Sequence, residues 1–421
     1  MDKLIIEGGR KLSGTVRVSG AKNATLPILA ATLLTDERCV IKNVPELVDV
    51  ITMMKILRNL GVKVQMDDSA IIVEPKGYSR VEAPYKLVST MRASVCVLGP
   101  LVGRRKKARV SMPGGCIIGP RPIDLHLKGL KALNTHIEIE HGYINARAPQ
   151  LKGNNVYLGG AFGSSVLATA NVMMAATLAK GKTVIENAAS EPEVVDLAEF
   201  LVKMGAKIKG QRTHTIEIEG VKRLRGAEHS VIPDRIEAGT HMLAAAMTKG
   251  NITIKGARAD HLGAVIDKLS EAGIGVRVSG DDIKVEYKTA LKPVDVTTLP
   301  YPGFPTDMQA QMMALMCVTR GISVITEKIY PDRFMHVSEL NRMGAQIMLE
   351  GPSAIVKGSE HLSGAPVMAS DLRASAALVL AGLCASGRTE IARVYHLDRG
   401  YEKLEEKLHK LGARIWREKV L

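Results

Sequence analysis

One phrase recurs six times along the chain, and it restricts the possible folds more than any other feature. A helical run reaches Leu-x-x-x-Gly and passes into residues that alternate apolar and polar. It reads LRNLGVKV at 57–64, LKALNTHI at 130–137, LVKMGAKI at 201–208, LSEAGIGV at 269–276, LNRMGAQI at 340–347 and LHKLGARI at 408–415. The pivots Gly61, Asn134, Gly205, Gly273, Gly344 and Gly412 stand 68 to 73 residues apart. Glycine, and asparagine once, suits a helix C-cap in the left-handed conformation. The alternation that follows predicts a strand.

A second phrase precedes each pivot, an Ala/Leu/Met-rich helix that turns into a β-rich strand. It reads LAKGKTVIENA at 178–188, MTKGNITIKGA at 247–257, VTRGISVITEK at 318–328 and CASGRTEIARV at 384–394. LLTDERCVIKNV at 33–44 and LVGRRKKARVSM at 101–112 are looser copies. Each unit therefore reads as apolar helix, strand, amphipathic helix and paired strands, and six units of roughly 70 residues fill the 421-residue chain. That period is too long for a simple solenoid. The first helices, such as ASVCVLGPLV (93–102), ANVMMAATLA (170–179) and ASAALVLAGL (374–383), are apolar nearly all round and predict burial. The second helices, such as DLAEFLVKM (196–204) and YEKLEEKLHKL (401–411), are amphipathic.

The fold class is α/β. Three units wrapping three buried helices in sheet make one domain, and six make two domains of about 200 residues. Residues 3–18 read as strand before the first unit, and the last unit lacks a final strand pair. The expected domains are therefore 22–232 and 1–21 plus 233–421, with linkers near 21 and 230–234.

Composition narrows the function. The chain is 46% hydrophobic and 24% charged, ordinary globular material. Its net charge of +14 favours anionic partners, from phosphorylated metabolites to nucleic acid or acidic membrane. Aromatics are only 3%, which argues against the stacking platforms of single-strand nucleic-acid binders. The basic run at Arg104-Arg105-Lys106-Lys107-Ala108-Arg109 reads as a solvated turn between helix and strand. The uncharged stretch 159–179 holds Gly, Ser, Thr and Asn, so no membrane insertion is expected. Five cysteines at irregular spacing form neither a disulfide framework nor a zinc site; with no signal peptide, they predict reducing cytoplasm. Cys39, Cys96, Cys317 and Cys384 read as small buried hydrophobes. No metal-ligand spacing and no phosphate-loop motif occur, so no metal or cofactor is expected.

The fifth cysteine differs. Cys116 lies in Met-Pro-Gly-Gly-Cys-Ile-Ile-Gly-Pro-Arg-Pro-Ile-Asp-Leu-His (112–126), where prolines and glycines exclude a continuous helix. A loop thiol near cations and free amides can act as acid, base or nucleophile; the alternative is an incidental loop cysteine. Other candidates stand at element ends, where sites usually form. Lys22 and Asn23 in SGAKNATLP open an apolar helix, either as an anion site or as a plain N-terminus. Arg92 starts the helix 91–99. Arg333, Arg373 and Arg399 each follow an acid (Asp332, Asp371, Asp398), a pattern that fits structural ion pairs or a shared anion cavity. Asp307, where a Pro/Gly loop meets a buried helix, is either an N-cap or a general base.

The ordered motifs SGAKNA, RAS (92–94), PGGCIIGPRPIDLH, EPEVVDLA, VIPDRIEAGT, FPTDMQAQ, DRFMHVSEL, DLRASAALVLAG and YHLDRGYEKLEEKL span nearly the whole chain. Together they resemble the UDP-N-acetylglucosamine 1-carboxyvinyltransferases. The sister 5-enolpyruvylshikimate-3-phosphate synthases share the six-unit fold but lack the Gly-Gly-Cys loop. The resemblance implies an inside-out α/β barrel pair, the enolpyruvyl transferase (EPT) fold. It also implies transfer of enolpyruvyl from phosphoenolpyruvate to the 3′-hydroxyl of UDP-N-acetylglucosamine, the first committed step of bacterial peptidoglycan synthesis.

Matched motif by motif, the resemblance assigns roles. Cys116 is the proton donor on a closing lid and the target of the epoxide fosfomycin, and Asp307 is the base at the sugar hydroxyl. Lys22, Arg121 and Arg399 hold phosphate. Arg373 and Arg399 hold carboxylate and developing charge, and Asn23 and Asp371 orient the centre. Arg92, Arg121, Pro122, Ile123, Asp124, Leu125, Ser165, Val166, Asp307, Ile329, Arg333 and Asp371 match the nucleotide-sugar side. The family usually shows Ser-Val-Gly-Ala-Thr in the third unit, with a lysine just before it. Here the chain reads Gly163-Ser164-Ser165-Val166-Leu167-Ala168-Thr169, with Gly163 at the lysine position. Two alternatives stand beside this reading: a transferase of the same fold with another acceptor, and a non-catalytic basic protein that binds nucleic acid.

Overall fold

The computed structural model describes residues 2–113, 123–161 and 163–419. Within them the chain divides into two compact units, one of residues 20–113 with 123–232, the other of 2–19 with 233–419.

All six pivots adopt positive φ: Gly61 96°, Asn134 67°, Gly205 103°, Gly273 92°, Gly344 91° and Gly412 101°. A side chain strains this backbone, and asparagine tolerates it best after glycine. The pivot turns the chain from an amphipathic helix into the first strand of a hairpin. Val48–Asn59 thus leads through Gly61 to Lys63–Asp67, and Gly263–Glu271 through Gly273 to Ile274–Ser279.

Among the described residues six four-stranded sheets result, three in each unit, all of one plan. In the 20–232 unit, Glu82–Ala83 runs parallel to Lys107–Ser111, which pairs antiparallel with Tyr143–Arg147, with His136–Glu140 outside it. The sheet of Asn155–Tyr157, Lys182–Glu186, Thr215–Glu219 and Lys207–Lys209 repeats this order. In the remaining sheet the parallel edge strand Glu228–Ser230 comes from the end of the unit, Glu228 opposite Val40.

In the 233–419 unit the N-terminal residues fill two places. Ser13–Arg17 lies parallel to Asn251–Lys255, with Val16 opposite Ile254. Asp2–Glu7 is inserted between Arg388–Ala392 and Arg414–Lys419, antiparallel to both, so Leu4 faces Ile391 on one side and Arg417 on the other.

Each unit packs its apolar helices inside its sheets. In Leu372–Cys384 every residue from Arg373 to Leu383 is buried, and in Arg235–Met247 every residue from Ile236 on. The outer helices bury one stripe only, as Val265 and Leu269 do in Gly263–Glu271. A leucine or isoleucine side chain removed from water in this way contributes about 1.5–3 kcal/mol.

Several details differ from expectation. The apolar helix at 91–99 is a 3₁₀ turn, Arg92–Val97, followed by the α-helix Leu98–Arg105. Pro100 has no N–H to donate and stands in the first turn of Leu98–Arg105, where no intrahelical donor is needed. The helix of 401–411 covers only Leu404–Lys410: Lys403 before it stands at φ 48°, outside the helical conformation, and Tyr401 is buried inside the unit. Cys384 is half-buried rather than buried, although Cys39, Cys96 and Cys317 are buried as expected. The basic run does form a turn, with Lys106 capping Leu98–Arg105 at φ 59° and Lys107–Ser111 following as strand, but it is not fully solvated: of its charged residues only Lys107 is exposed and the others are half-buried.

Candidate functional site

In the 233–419 unit, three of the candidate residues come into direct contact. Asp307 lies in the 3₁₀ turn Thr306–Met308, which Pro305 introduces and which runs into the buried helix Gln309–Cys317. It does not act as an N-cap. Its Oδ1 accepts from Arg333 Nη1 at 2.8 Å and its Oδ2 from Arg373 Nη2 at 2.8 Å. The carboxylate is 27% exposed, whereas the two guanidiniums are only 5% and 2% exposed. Burial alone would push the Asp307 carboxyl up. The charges of Arg373 and Arg333 and their hydrogen bonds outweigh that and hold it well below the usual carboxylate range.

Arg373 comes from the first turn of Leu372–Cys384. That turn is capped by Asp371, whose Oδ1 accepts from the amides of Arg373 (2.8 Å) and Ala374 (3.1 Å). The neighbouring acid is thus a cap, and the ion-pair partner is Asp307. Asp398 likewise pairs with Arg417 rather than Arg399. Under the Arg373 guanidinium lies the Tyr401 ring, 5.3 Å from its centre. The Tyr401 hydroxyl is itself bonded to Thr240 (2.9 Å) and to Gln311 Nε2 (3.0 Å). Among the described residues, Arg373 Nε and Nη1 are buried without a hydrogen-bond partner. Unfilled donors on a buried guanidinium mark a place for an anion.

Arg399 ends the 3₁₀ helix Val394–Arg399 and is half-buried. Its charge adds to burial in pushing His396 down, while Asp371 pulls the same imidazole up. His336, pushed down to about 4 by burial, feels Asp371 and Arg333 in the same way. Asp371, Arg333 and Arg399 therefore share one electrostatic neighbourhood with Asp307 and Arg373. Ile329 is half-buried and held by its amide, which donates to Glu327 at 2.8 Å.

In the 20–232 unit, Lys22 is the first residue of the helix Lys22–Ala31, and Ala21 before it supplies no side-chain cap. Lys22 is 7% exposed, and its Nζ stands 3.4 Å from the buried Asp49 Oδ2. Asn23, beside it, is half-buried. Arg92 begins the 3₁₀ turn Arg92–Val97, and its charge adds to the burial that pushes His126 down to about 3. His126 belongs to a buried network. Asn171 Oδ1 accepts from Gly99 N–H at 2.7 Å, so its Nδ2 donates, to Val95 O at 3.0 Å and to His126 Nδ1 at 2.8 Å. The imidazole is therefore neutral, with its proton on Nε2. At Gly99 a Cβ would meet Asn171 O at 2.3 Å, so only glycine lets these two helices approach this closely.

Ser165 caps Val166–Ala176, accepting from the Ala168 amide at 3.3 Å, and Val166 is half-buried. Ile123 is buried at the start of Asp124–Ala132, Asp124 is exposed and Leu125 half-buried. Cys116, Arg121 and Pro122 lie outside the described residues.

The EPSP synthase family model (3-phosphoshikimate 1-carboxyvinyltransferase) matches residues 6–408. A protein of Desulfosudis oleivorans described as UDP-N-acetylglucosamine 1-carboxyvinyltransferase is 57% identical over 417 residues, 99% of each chain. One of Myxococcus xanthus with the same description is 56% identical over 423 residues, the whole of both. The chain belongs to the UDP-N-acetylglucosamine 1-carboxyvinyltransferases. The enolpyruvyl transferase NikO from Streptomyces tendae superposes with a TM-score of 0.90 at 27% identity, over 100% of this chain and 99% of that one. EPSP synthase from Acinetobacter baumannii shares the fold, with a TM-score of 0.77 at 18% identity over the whole of both chains.

The residues missed by sequence reasoning are those that hold the candidate side chains, or their neighbours, in place. Asp49, Thr306, Gln311, Glu327 and Tyr401 all fall here. Tyr401 offered the one available signal, an aromatic residue at the expected start of an amphipathic helix. Among the described residues no helix is long and apolar enough to cross a membrane.

Proposed function

We propose that this chain transfers the enolpyruvyl group of phosphoenolpyruvate to the 3′-hydroxyl of UDP-N-acetylglucosamine and releases phosphate. The setting is the cytoplasm of a bacterium, at the first committed step of peptidoglycan synthesis. The observation that carries the reading is Arg373, a buried guanidinium with two unfilled donors and with Asp307 on its third nitrogen. That arrangement suits a small dianion placed next to a hydroxyl acceptor.

In this reading the sugar oxygen bonds to C2 of phosphoenolpyruvate while C3 takes a proton from the Cys116 thiol, giving a tetrahedral adduct. Loss of phosphate from C2 and of a proton from C3 restores the double bond. Arg373 and Arg399 hold the carboxylate, and Lys22, Arg121 and Arg399 the phosphate. Asn23 and Asp371 orient the centre. Preorganised cations around developing negative charge are usually the largest single catalytic contribution. Arg92, Arg121, Pro122, Ile123, Asp124, Leu125, Ser165, Val166, Ile329 and Arg333 line the nucleotide-sugar side.

Asp307 accepts the hydrogen bond of the 3′-hydroxyl and then its proton. Clamped between two guanidiniums it is a weak base. An anion filling the open donors of Arg373 offsets the positive charge beside Asp307 and raises its basicity where the proton must go. Phosphate release from phosphoenolpyruvate is the test. It should require UDP-N-acetylglucosamine and yield the enolpyruvyl ether by mass spectrometry. Equal release without that acceptor, or release with another sugar nucleotide only, would overturn the reading.

A further inference from the structure

Glu327 is fully buried, and the reaction above gives it no part. Burying a carboxylate is costly unless hydrogen bonds replace its water. Here four do. Oε1 accepts from Thr298 Oγ1 (2.7 Å), Ile329 N–H (2.8 Å) and Tyr330 N–H (2.9 Å). Oε2 accepts from Thr306 Oγ1 at 2.9 Å. Having given its one proton to Glu327, Thr306 Oγ1 accepts from Arg333 Nη1 at 3.0 Å. The same Nη1 donates to Asp307 Oδ1 at 2.8 Å. The direction of this chain is fixed, since a guanidinium only donates and a carboxylate only accepts.

We propose that Glu327 is a positioning residue for the transfer: through Thr306 it fixes Arg333 and so aims the Asp307 carboxylate. The two oxygens divide the work. Oε1 ties down the segment that bears Ile329 and Arg333. Oε2, through one hydroxyl, orders the Thr306–Asp307 turn and strengthens Thr306 as the acceptor for Arg333. This inference rests on the reading in which Asp307 serves the acceptor hydroxyl.

The test compares two threonines that bond the same buried carboxylate. Thr306→Val breaks the route to Arg333, whereas Thr298→Val removes a bond on the other oxygen, and the one that Thr298 Oγ1 accepts from Lys328 N–H, and leaves that route whole. Both should lower the melting temperature comparably. Thr306→Val should lower kcat about tenfold or more, with the KM for phosphoenolpyruvate within about threefold of wild type. Thr298→Val should keep kcat within about threefold, and Thr306→Ser should restore it. Glu327→Gln places an amide N–H against Thr306 and leaves the threonine proton without its acceptor, so it should lose kcat as Thr306→Val does. It carries the comparison if the valine variant does not fold.

Full kcat in Thr306→Val or Glu327→Gln, or an equal loss in Thr298→Val, would overturn the proposal. Asp307→Asn separates the two layers. If it is inactive while Thr306→Val and Glu327→Gln turn over normally, only the positioning role falls. If Asp307→Asn is itself active, the role of Asp307 falls and the positioning role with it.

Discussion

Asp307 Oδ2 and Arg373 Nη2 meet at 2.8 Å across 66 residues of sequence. Among the described residues, the pair leaves Arg373 with two buried nitrogens that make no hydrogen bond, and Asp307 with a carboxylate depressed below its ordinary range. One contact thus sets unfilled donors and an ionised carboxylate side by side.

Arg373→Lys tests the first half. A lysine keeps the charge but not the planar fork, so it cannot answer Asp307 and an anion at once with fixed geometry. The expected result is a rise of about a hundredfold in the KM for phosphoenolpyruvate, on the order of 3 kcal/mol, with a smaller change for UDP-N-acetylglucosamine. Steady-state kinetics with each substrate varied would show this. An unchanged KM for phosphoenolpyruvate would remove Arg373 from the anion site.

The second half appears as pH dependence. The Asp307 carboxyl is held below its unfolded value of about 3.9. Its stabilisation is therefore complete above that pH and is lost as pH falls toward the folded value. The difference in melting temperature between wild type and Asp307→Asn should be level from about pH 7 to 5 and shrink below about pH 4. A difference that widened on acidification would contradict the ion-pair account.

His126 acts over a higher window. Burial holds its imidazole down to about 3, against an unfolded value of about 6.5. Only the unfolded chain gains a proton between these values, so wild type should lose stability as pH falls from about 6.5. His126→Gln should flatten that slope in a melting-temperature series. Asn171→Leu, which strands Gly99 N–H, Val95 O and the imidazole, should cost about 3 kcal/mol or more at neutral pH, read by urea unfolding.

Fosfomycin should label Cys116 and no other thiol. Burial pushes Cys39 up to about 11 and Cys96, Cys317 and Cys384 up to about 12, so almost no thiolate forms at neutral pH. Cys384 is the sharpest control, since it is half-buried but points its sulfur at Ala381 O, 3.3 Å away. Peptide mapping after treatment would decide, and an adduct on any of those four would count against their protection. Cys116→Ser should lose turnover yet still bind UDP-N-acetylglucosamine by calorimetry.

The fold was legible where constraint is local. Six positive-φ pivots could be read from six Leu-x-x-x-Gly/Asn phrases, because so few residues accept that backbone. The buried helices could be read from their lack of a polar face. Pairing across the chain could not be read. An aspartate just before an arginine suggested a partner, but Asp371 is spent on a helix cap and Arg373 finds Asp307 instead. Glu327 and Tyr401 were passed over for a related reason. A glutamate after a strand and a tyrosine before a helix look like surface residues until the sheets close over them.

The placement of Asp2–Glu7 between Arg388–Ala392 and Arg414–Lys419 bears on how the molecule is made. A ribosome delivers the middle strand of that sheet first and its neighbours last. Residues 20–232 hold their three four-stranded sheets within themselves, so they can finish folding while the rest is still being translated. Asp2–Glu7 must wait, unpaired on both sides, until Arg388–Ala392 and Arg414–Lys419 have been made. Its run Leu4-Ile5-Ile6, fully buried at the end, is a sticky segment that has to be kept from other partners while the residues up to those strands are made.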